Sequence, residues 1–334
     1  MPAKLKSVHI LFNETGRDVL SFGTLGSGSL RRLVLKPISH FIYFNSLRDF
    51  KLKLPREILV YFFEGNDLSD NAYAIEKRFR VGYDMDRLYD PEYFKVFIEK
   101  EILGTDPLYT GEVPFKNWLF SRFLVESVGD NIYNELRRGI KKLKKFVMGL
   151  FRVSPAEAEE IRVSPDFSGM VSKTDSDMAL IDGKELPFPY TTQQPALNLT
   201  EEQTKQAYYV FEQSLRYMAD FFHESKITIV YIPSPISVYK WVSPTLTILA
   251  PQGKLTFSSG EIYQRSDEIF KHIETIARKY NIPLIDTRPF LRAKALKEPV
   301  HGPRDWYHPN RKGYETIARA ILENTSFGKE TQID

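Results

Sequence analysis

Apolar residues follow two rhythms along this chain. Short apolar runs occur at Val19 to Phe22, Ile58 to Phe63, Ile227 to Ile232 and Pro283 to Ile285, the second of them uninterrupted. Continuous rather than alternating hydrophobicity predicts strands covered on both faces, as in a doubly wound parallel sheet. Between the runs, apolar residues recur at helical spacing. Thr200-Glu201-Glu202-Gln203 forms a capping box opening a helix that runs to about Phe222. Ser266-Asp267-Glu268 opens a second, with Ile269, Phe270, Ile273, Ile276, Ala277 and Tyr280 as its apolar stripe. Arg278 and Lys279 lie at its C-terminal end, where the helix dipole favours cations. A closing helix from about Gly313 buries Ile317, Ala318, Ile321 and Leu322. This alternation predicts an α/β fold.

The interval 73–199 breaks the rhythm. Rich in aromatic and charged residues, it separates the second apolar run from the third and reads as an insertion of helices and loops, a lid over the sheet. The chain then divides into residues 1–72, the insertion 73–199 and residues 200–334. Within the insertion, Ile132 to Phe151 is a basic amphipathic segment, with Leu136, Ile140, Leu143, Val147 and Leu150 at helical spacing. It reads as a solvated helix packed on the core or as an interfacial helix touching an anionic membrane surface or acidic polymer. Gly139 and Gly149 weaken both readings.

Composition narrows the chemistry. The 334 residues are 42% hydrophobic and 27% charged, which excludes global disorder and leaves room for a sizeable core. A net charge of +3, from 46 basic and 43 acidic residues, does not call for a nucleic-acid partner. The lack of cysteine excludes disulfides, thiolate metal sites and a cysteine nucleophile. His9, His40, His223, His272 and His301 show no metal-ligand spacing with one another or with nearby acids, and no dinucleotide or phosphate-loop fingerprint occurs, so no metal and no cofactor are expected.

Two segments carry candidate chemistry. Phe62-Phe63-Glu64-Gly65-Asn66-Asp67 ends the strongest predicted strand, at the sheet edge where α/β folds bind ligands. Asn66 there is either part of a common turn or a hydrogen-bond donor facing the crevice. Near the other end, Asp305-Trp306-Tyr307-His308-Pro309-Asn310 precedes the last helix. A carboxylate three residues before a histidine can orient the imidazole as a general base; the bland alternative is a surface histidine beside a helix-capping Asn310.

Together these segments resemble the SGNH/GDSL hydrolase superfamily. The resemblance runs from about Val19 to Leu322, excluding the insertion. It implies a flavodoxin-like three-layer α/β/α sandwich with strand order 2-1-3-4-5. It also implies that Asn66 is an oxyanion donor, His308 the base and Asp305 its orienter. The backbone N–H of Gly26, in the glycine-rich stretch after Val19 to Phe22, is implied to complete the oxyanion hole, with Gly23 and Gly28 as alternatives. The activity implied is hydrolysis of a small-molecule or carbohydrate ester through an acyl-enzyme.

The family's Gly-Asp-Ser block, which supplies the nucleophile after the first strand, is not found in the sequence. Lys4 to Asn13 matches the helix that follows that block. The expectation is therefore of a chain lacking its first strand, inactive as given, with a nucleophile upstream of Met1. Ser27 and Ser29 in the glycine-rich loop are poorer substitutes, and Ser234 reads as part of a structural Pro-Ser-Pro turn. Taken literally the chain has no signal or spanning segment and reads as cytoplasmic; a lost upstream signal or anchor would make it extracytoplasmic or membrane-anchored. Two rival functions are a carbohydrate O-acyltransferase and a non-catalytic module binding glycan or lipid.

Overall fold

The computed structural model describes residues 6–22, 28–47, 51–111, 176–250, 253–303 and 305–325. Helix α1 (Ser7–Thr15) is closed by Gly16 in the left-handed region, φ +65°. A wide π-type turn (Leu30–Leu35) leads into α2 (Lys36–Ser46). Strand β1 (Glu57–Phe63) is followed by α3 (Asp67–Ala74), then α4 (Pro91–Phe97). Next come β2 (Ser176–Ile181), β3 (Lys184–Pro189), α5 (Glu201–Phe221), β4 (Lys226–Ile232) and β5 (Lys240–Trp241). The chain continues through β6 (Thr245–Ala250), β7 (Gly253–Ser258), α6 (Ser259–Lys279) and β8 (Leu284–Asp286), and then α7 (Arg288–Ala295) and α8 (Arg311–Asn324).

Three strands form a parallel sheet in the order β1-β4-β8. Side chains of β4 explain its continuous apolar run. Ile227, Ile229 and Tyr231 enter one apolar cluster with α3, α4, α5 and α6, while Val230 and Ile232 enter a second with α1, α7 and α8. Successive residues of a strand point to opposite faces, so covering both faces favours apolar residues at successive positions, with Thr228 the buried polar exception. In β1, Val60 and Phe62 are fully buried toward the α5 side, whereas Leu59, Tyr61 and Phe63 face α1 and α8 and are only partly covered.

The α/β expectation and three of its four strands agree with this architecture. Val19 to Phe22 does not: it carries no regular secondary structure, and Leu20 is 64% exposed. A strand exists by virtue of a ladder, and among the described residues β1 pairs with β4 alone. The opening of α6 is also corrected. Its N-cap is Ser258, in a capping box with Glu261, rather than Ser266, which is buried mid-helix. The box at Thr200 and Gln203 caps α5 as expected.

Residues in the expected insertion join the main cores. The helical path runs through Tyr73 without a break, and Phe79, Phe94, Phe97 and Ile102 pack in the same cluster as β1 and α5. Residues 176–189 form a β-hairpin rather than helix or loop, turning at Asp182-Gly183 with φ of +52° and +71°. Both positive φ values suit the two-residue turn that matches strand twist. The hairpin extends to β5, and β6 and β7 form a second hairpin. The basic segment 132–151 lies outside the described residues. Among the described residues no helix is long and apolar enough to cross a membrane.

Candidate functional site

At the end of β1 the chain turns tightly at Gly65, close against two side chains. A Cβ on Gly65 would stand 2.6 Å from the Phe63 ring and 2.9 Å from Gln193 Oε1. The preceding Glu64 is 1% exposed. Its carboxylate accepts from Tyr231 Oη at 2.6 Å, Ser266 Oγ at 2.6 Å, Ser234 Oγ at 2.7 Å and Ser237 Oγ. These bonds tie the end of β1 to β4, to the turn after β4 and to α6, so the ledge carrying Asn66 is held on three sides.

Asn66 is the N-cap residue of α3, but its side chain makes no capping bond. Its Nδ2 donates to Asp70 at 3.1 Å, and its Oδ1 is buried without a hydrogen-bond partner. Asp67 accepts from the Phe63 backbone N–H at 2.8 Å and pairs with Arg32 at 2.6 Å. Both acids lie in the first turn of α3, where the helix dipole favours negative charge. Burial nevertheless raises the Asp67 carboxyl, opposed by Arg32. Asp70 is pushed up to about 7 by burial and by neighbouring Asp67, again opposed by Arg32.

Gly28 and Ser29, at the end of the glycine-rich stretch, dock on the same helix. Ser29 N donates to Asn71 Oδ1 at 2.7 Å, and Asn71 Nδ2 returns a bond to Ser29 Oγ at 2.9 Å. A Cβ on Gly28 would meet Asn71 Oδ1 at 2.5 Å, so the loop approaches this closely because it has none there. Gly23, Gly26 and Ser27 lie outside the described residues.

The second segment is a turn between α7 and α8. Asp305 Oδ2 stands 2.8 Å from His308 Nδ1, while Oδ1 accepts from the backbone N–H of Tyr307 at 2.9 Å and of His308 at 3.2 Å. A carboxylate only accepts, so neutral His308 carries its proton on Nδ1 and offers Nε2 as a base. The pair is half-exposed, with His308 43% and Asp305 54% accessible. Asn310 caps α8 through Lys312 and Gly313, and its amide also donates to the Pro299 and His301 carbonyls at 2.8 and 3.0 Å. The Asp305–His308 contact and the Asn310 helix cap are therefore both present in this segment.

Trp306, between the members of the pair, packs on Phe188 with ring centroids 4.7 Å apart. Trp306 and Tyr314 belong to the same apolar cluster as Phe63, three residues before Asn66. The Asp305–His308 turn and the end of β1 thus share one face of the sheet. No hydrogen bond joins Asn66 to Asp305 or His308; the amide of Asn66 is turned to Asp70. No serine oxygen among the described residues bonds His308: Ser29 is engaged by Asn71, and Ser234 by Glu64 and Ser237.

Several residues escaped the sequence reading. Glu64, Asp67, Asp70 and Asn71 were visible as a dense polar run, but their burial depends on contacts from distant segments. His301 is 1% exposed and held near 3 by burial, with His308 opposing and Asp305 favouring its protonation. A separate cavity of about 380 Å³ lies between α5 and α6, lined by Thr204, Lys205, Tyr208, Arg265 and His272 among others. None of Asn66, Asp305 and His308 lines it. Among the described residues no cluster of three or more His, Asp or Glu side chains is placed to hold a metal ion. Comparison with protein-family models, with curated protein sequences and with solved structures finds no match to this chain.

Proposed function

We propose that this chain carries the base, its orienting acid and an oxyanion donor of an SGNH-type serine ester hydrolase working through an acyl-enzyme. The observation that carries the reading is the Asp305–His308 pair at 2.8 Å, on the face of the sheet that also receives Phe63 from the strand leading to Asn66. The strand order β1-β4-β8 matches strands 3-4-5 of the flavodoxin-like order and supports the finer fold assignment. In this mechanism His308 Nε2 takes the proton of a serine hydroxyl as it attacks the ester carbonyl, and returns it to the leaving alcohol. Asp305 fixes the tautomer and stabilises the imidazolium. Asn66 Nδ2 and the backbone of the glycine-rich stretch stabilise the tetrahedral oxyanion, each such donor lowering the barrier by about 2.7–4 kcal/mol.

No described serine bonds His308, so this reading requires a Gly-Asp-Ser segment in addition to the residues described. The test is to translate the extended reading frame and assay it on an acetyl ester. Turnover is expected, abolished by His308→Ala and lowered by Asn66→Ala with little change in KM, because the Asn66 bond strengthens at the transition state. Near-normal turnover in His308→Ala, or no Gly-Asp-Ser segment in the extended frame, defeats the assignment. Adding acceptor polysaccharide separates hydrolysis from O-acyl transfer, the rival that uses the same groups.

A further inference from the structure

The loop that carries Asp305 and His308 contains a second imidazole, and the hydrogen bonds around it fix its protonation. Tyr239 Oη lies 3.0 Å from Val300 N, 2.9 Å from His301 N and 3.1 Å from His301 Nδ1. Backbone N–H groups can only donate, so they occupy both lone pairs of the phenol oxygen. Its single proton is then left for His301 Nδ1, which must accept. Burial raises the Tyr239 phenol, so that proton is retained. A neutral imidazole accepting at Nδ1 carries its hydrogen on Nε2. His308 is the reverse, since its Nδ1 faces a carboxylate. The two histidines of one loop hold opposite tautomers.

The same contacts fix the backbone. Tyr239 follows β4 and reaches the loop at Val300 and His301; Asn310 grips it at Pro299 and His301; and the Gly302 N–H donates to the Asp305 carbonyl at 3.0 Å. The titratable groups facing His301 are Tyr239, Asp305 and His308. We propose that His301 is a positioning residue: pinned by Tyr239 as the Nε2–H tautomer, it sets the loop from which the Asp305–His308 pair is built, leaving His308 alone to exchange a proton with substrate. The assignment of that proton exchange rests on the esterase reading; the tautomers and the positioning do not.

Long-range ¹H–¹⁵N correlation spectra of the full chain test it, with His301 assigned by its loss in His301→Leu. Across about pH 5 to 8, the range in which an ordinary histidine titrates, His301 is expected to keep Nε2 protonated and Nδ1 bare. His308 is expected to show the low-field Nδ1 proton of its bond to Asp305. Tyr239→Phe should release the His301 tautomer and weaken that low-field signal. His301→Leu should abolish the signal, whereas His301→Asn, whose Oδ1 can take the place of Nδ1, should restore most of it. A proton on His301 Nδ1, titration of His301 within that range, or an unchanged His308 signal in His301→Leu overturns the proposal. In the extended protein, His301→Leu should lower kcat about tenfold with KM within about twofold, and His301→Asn should recover most of the loss. An extended protein without esterase activity but with the expected spectra would sink the functional reading and leave the positioning role standing.

Discussion

Tyr231 on β4 donates its hydroxyl to the Glu64 carboxylate at 2.6 Å, joining two neighbouring strands where β1 ends. Among the described residues no cation contacts Glu64; its carboxyl oxygens are met by the hydroxyls of Tyr231, Ser234, Ser237 and Ser266 and by the Ser234 N–H at 3.3 Å. A buried polar group is tolerated when hydrogen bonds replace its hydration. Glu64→Ala strands those donors together and should cost more than a single lost acceptor, each buried donor left unsatisfied costing about 1–3 kcal/mol. Glu64→Gln keeps the volume but replaces one accepting oxygen with a donor, and should cost about 1–3 kcal/mol. Urea denaturation of both variants checks the ordering. Equal losses would mean that side-chain volume, and not acceptance, is what the site needs.

Asp70 links the candidate oxyanion donor to pH. Its folded value of about 7 lies above the ordinary 3.8, so the native state binds this proton more tightly than the unfolded chain. The resulting stabilisation is complete below the ordinary value and is lost as pH rises through about 7. The interval corresponds to at most about 4 kcal/mol. Asp67 is shifted in the same direction and adds a slope of the same sign. Asp70→Asn should therefore flatten, without abolishing, the fall in stability between about pH 5 and pH 8. Denaturant melts at the two ends of that range measure it, and a slope identical to the parent would remove Asp70 as its source.

How far the sequence could be read depended on whether a signal was local. The Ile58 and Ile227 runs announced buried strands because each face of β4 meets its own cluster, so that Thr228, itself buried, is the one break in an otherwise apolar pattern. The Asp305–His308 bond was legible because three residues and an Asx-type turn suffice to make it. Val19 to Phe22 looked equally apolar, yet a strand also needs a neighbour, and pairing is not written in a four-residue run. The Asp182-Gly183 dipeptide was a usable hairpin signal that the aromatic and charged surroundings obscured. Glu64 and His301 were not legible at all. Their roles come from Ser266 and from Tyr239, far away in sequence and near only in the fold.

Gly302 sits beneath Trp306 in the turn that presents the candidate base, and its φ is +70°. A Cβ there would stand 2.6 Å from indole Cε2 and 2.7 Å from Cζ2, so Gly302→Ala strains the backbone and also pushes on Trp306. The left-handed conformation costs a residue with a Cβ about 1 kcal/mol, and overpacking adds about 1–3 kcal/mol. A total loss of about 2–4 kcal/mol is expected. The two contributions separate in a double-mutant cycle with Trp306→Leu, which opens space over the new methyl group but leaves φ unchanged. The double variant should lose less than the sum of the singles, by about 1 kcal/mol or more. Because Trp306 lies between Asp305 and His308, the low-field His308 proton should weaken in Gly302→Ala. Strict additivity with an unchanged His308 signal would mean that the indole yields freely and that the Asp305–His308 geometry does not depend on its seat.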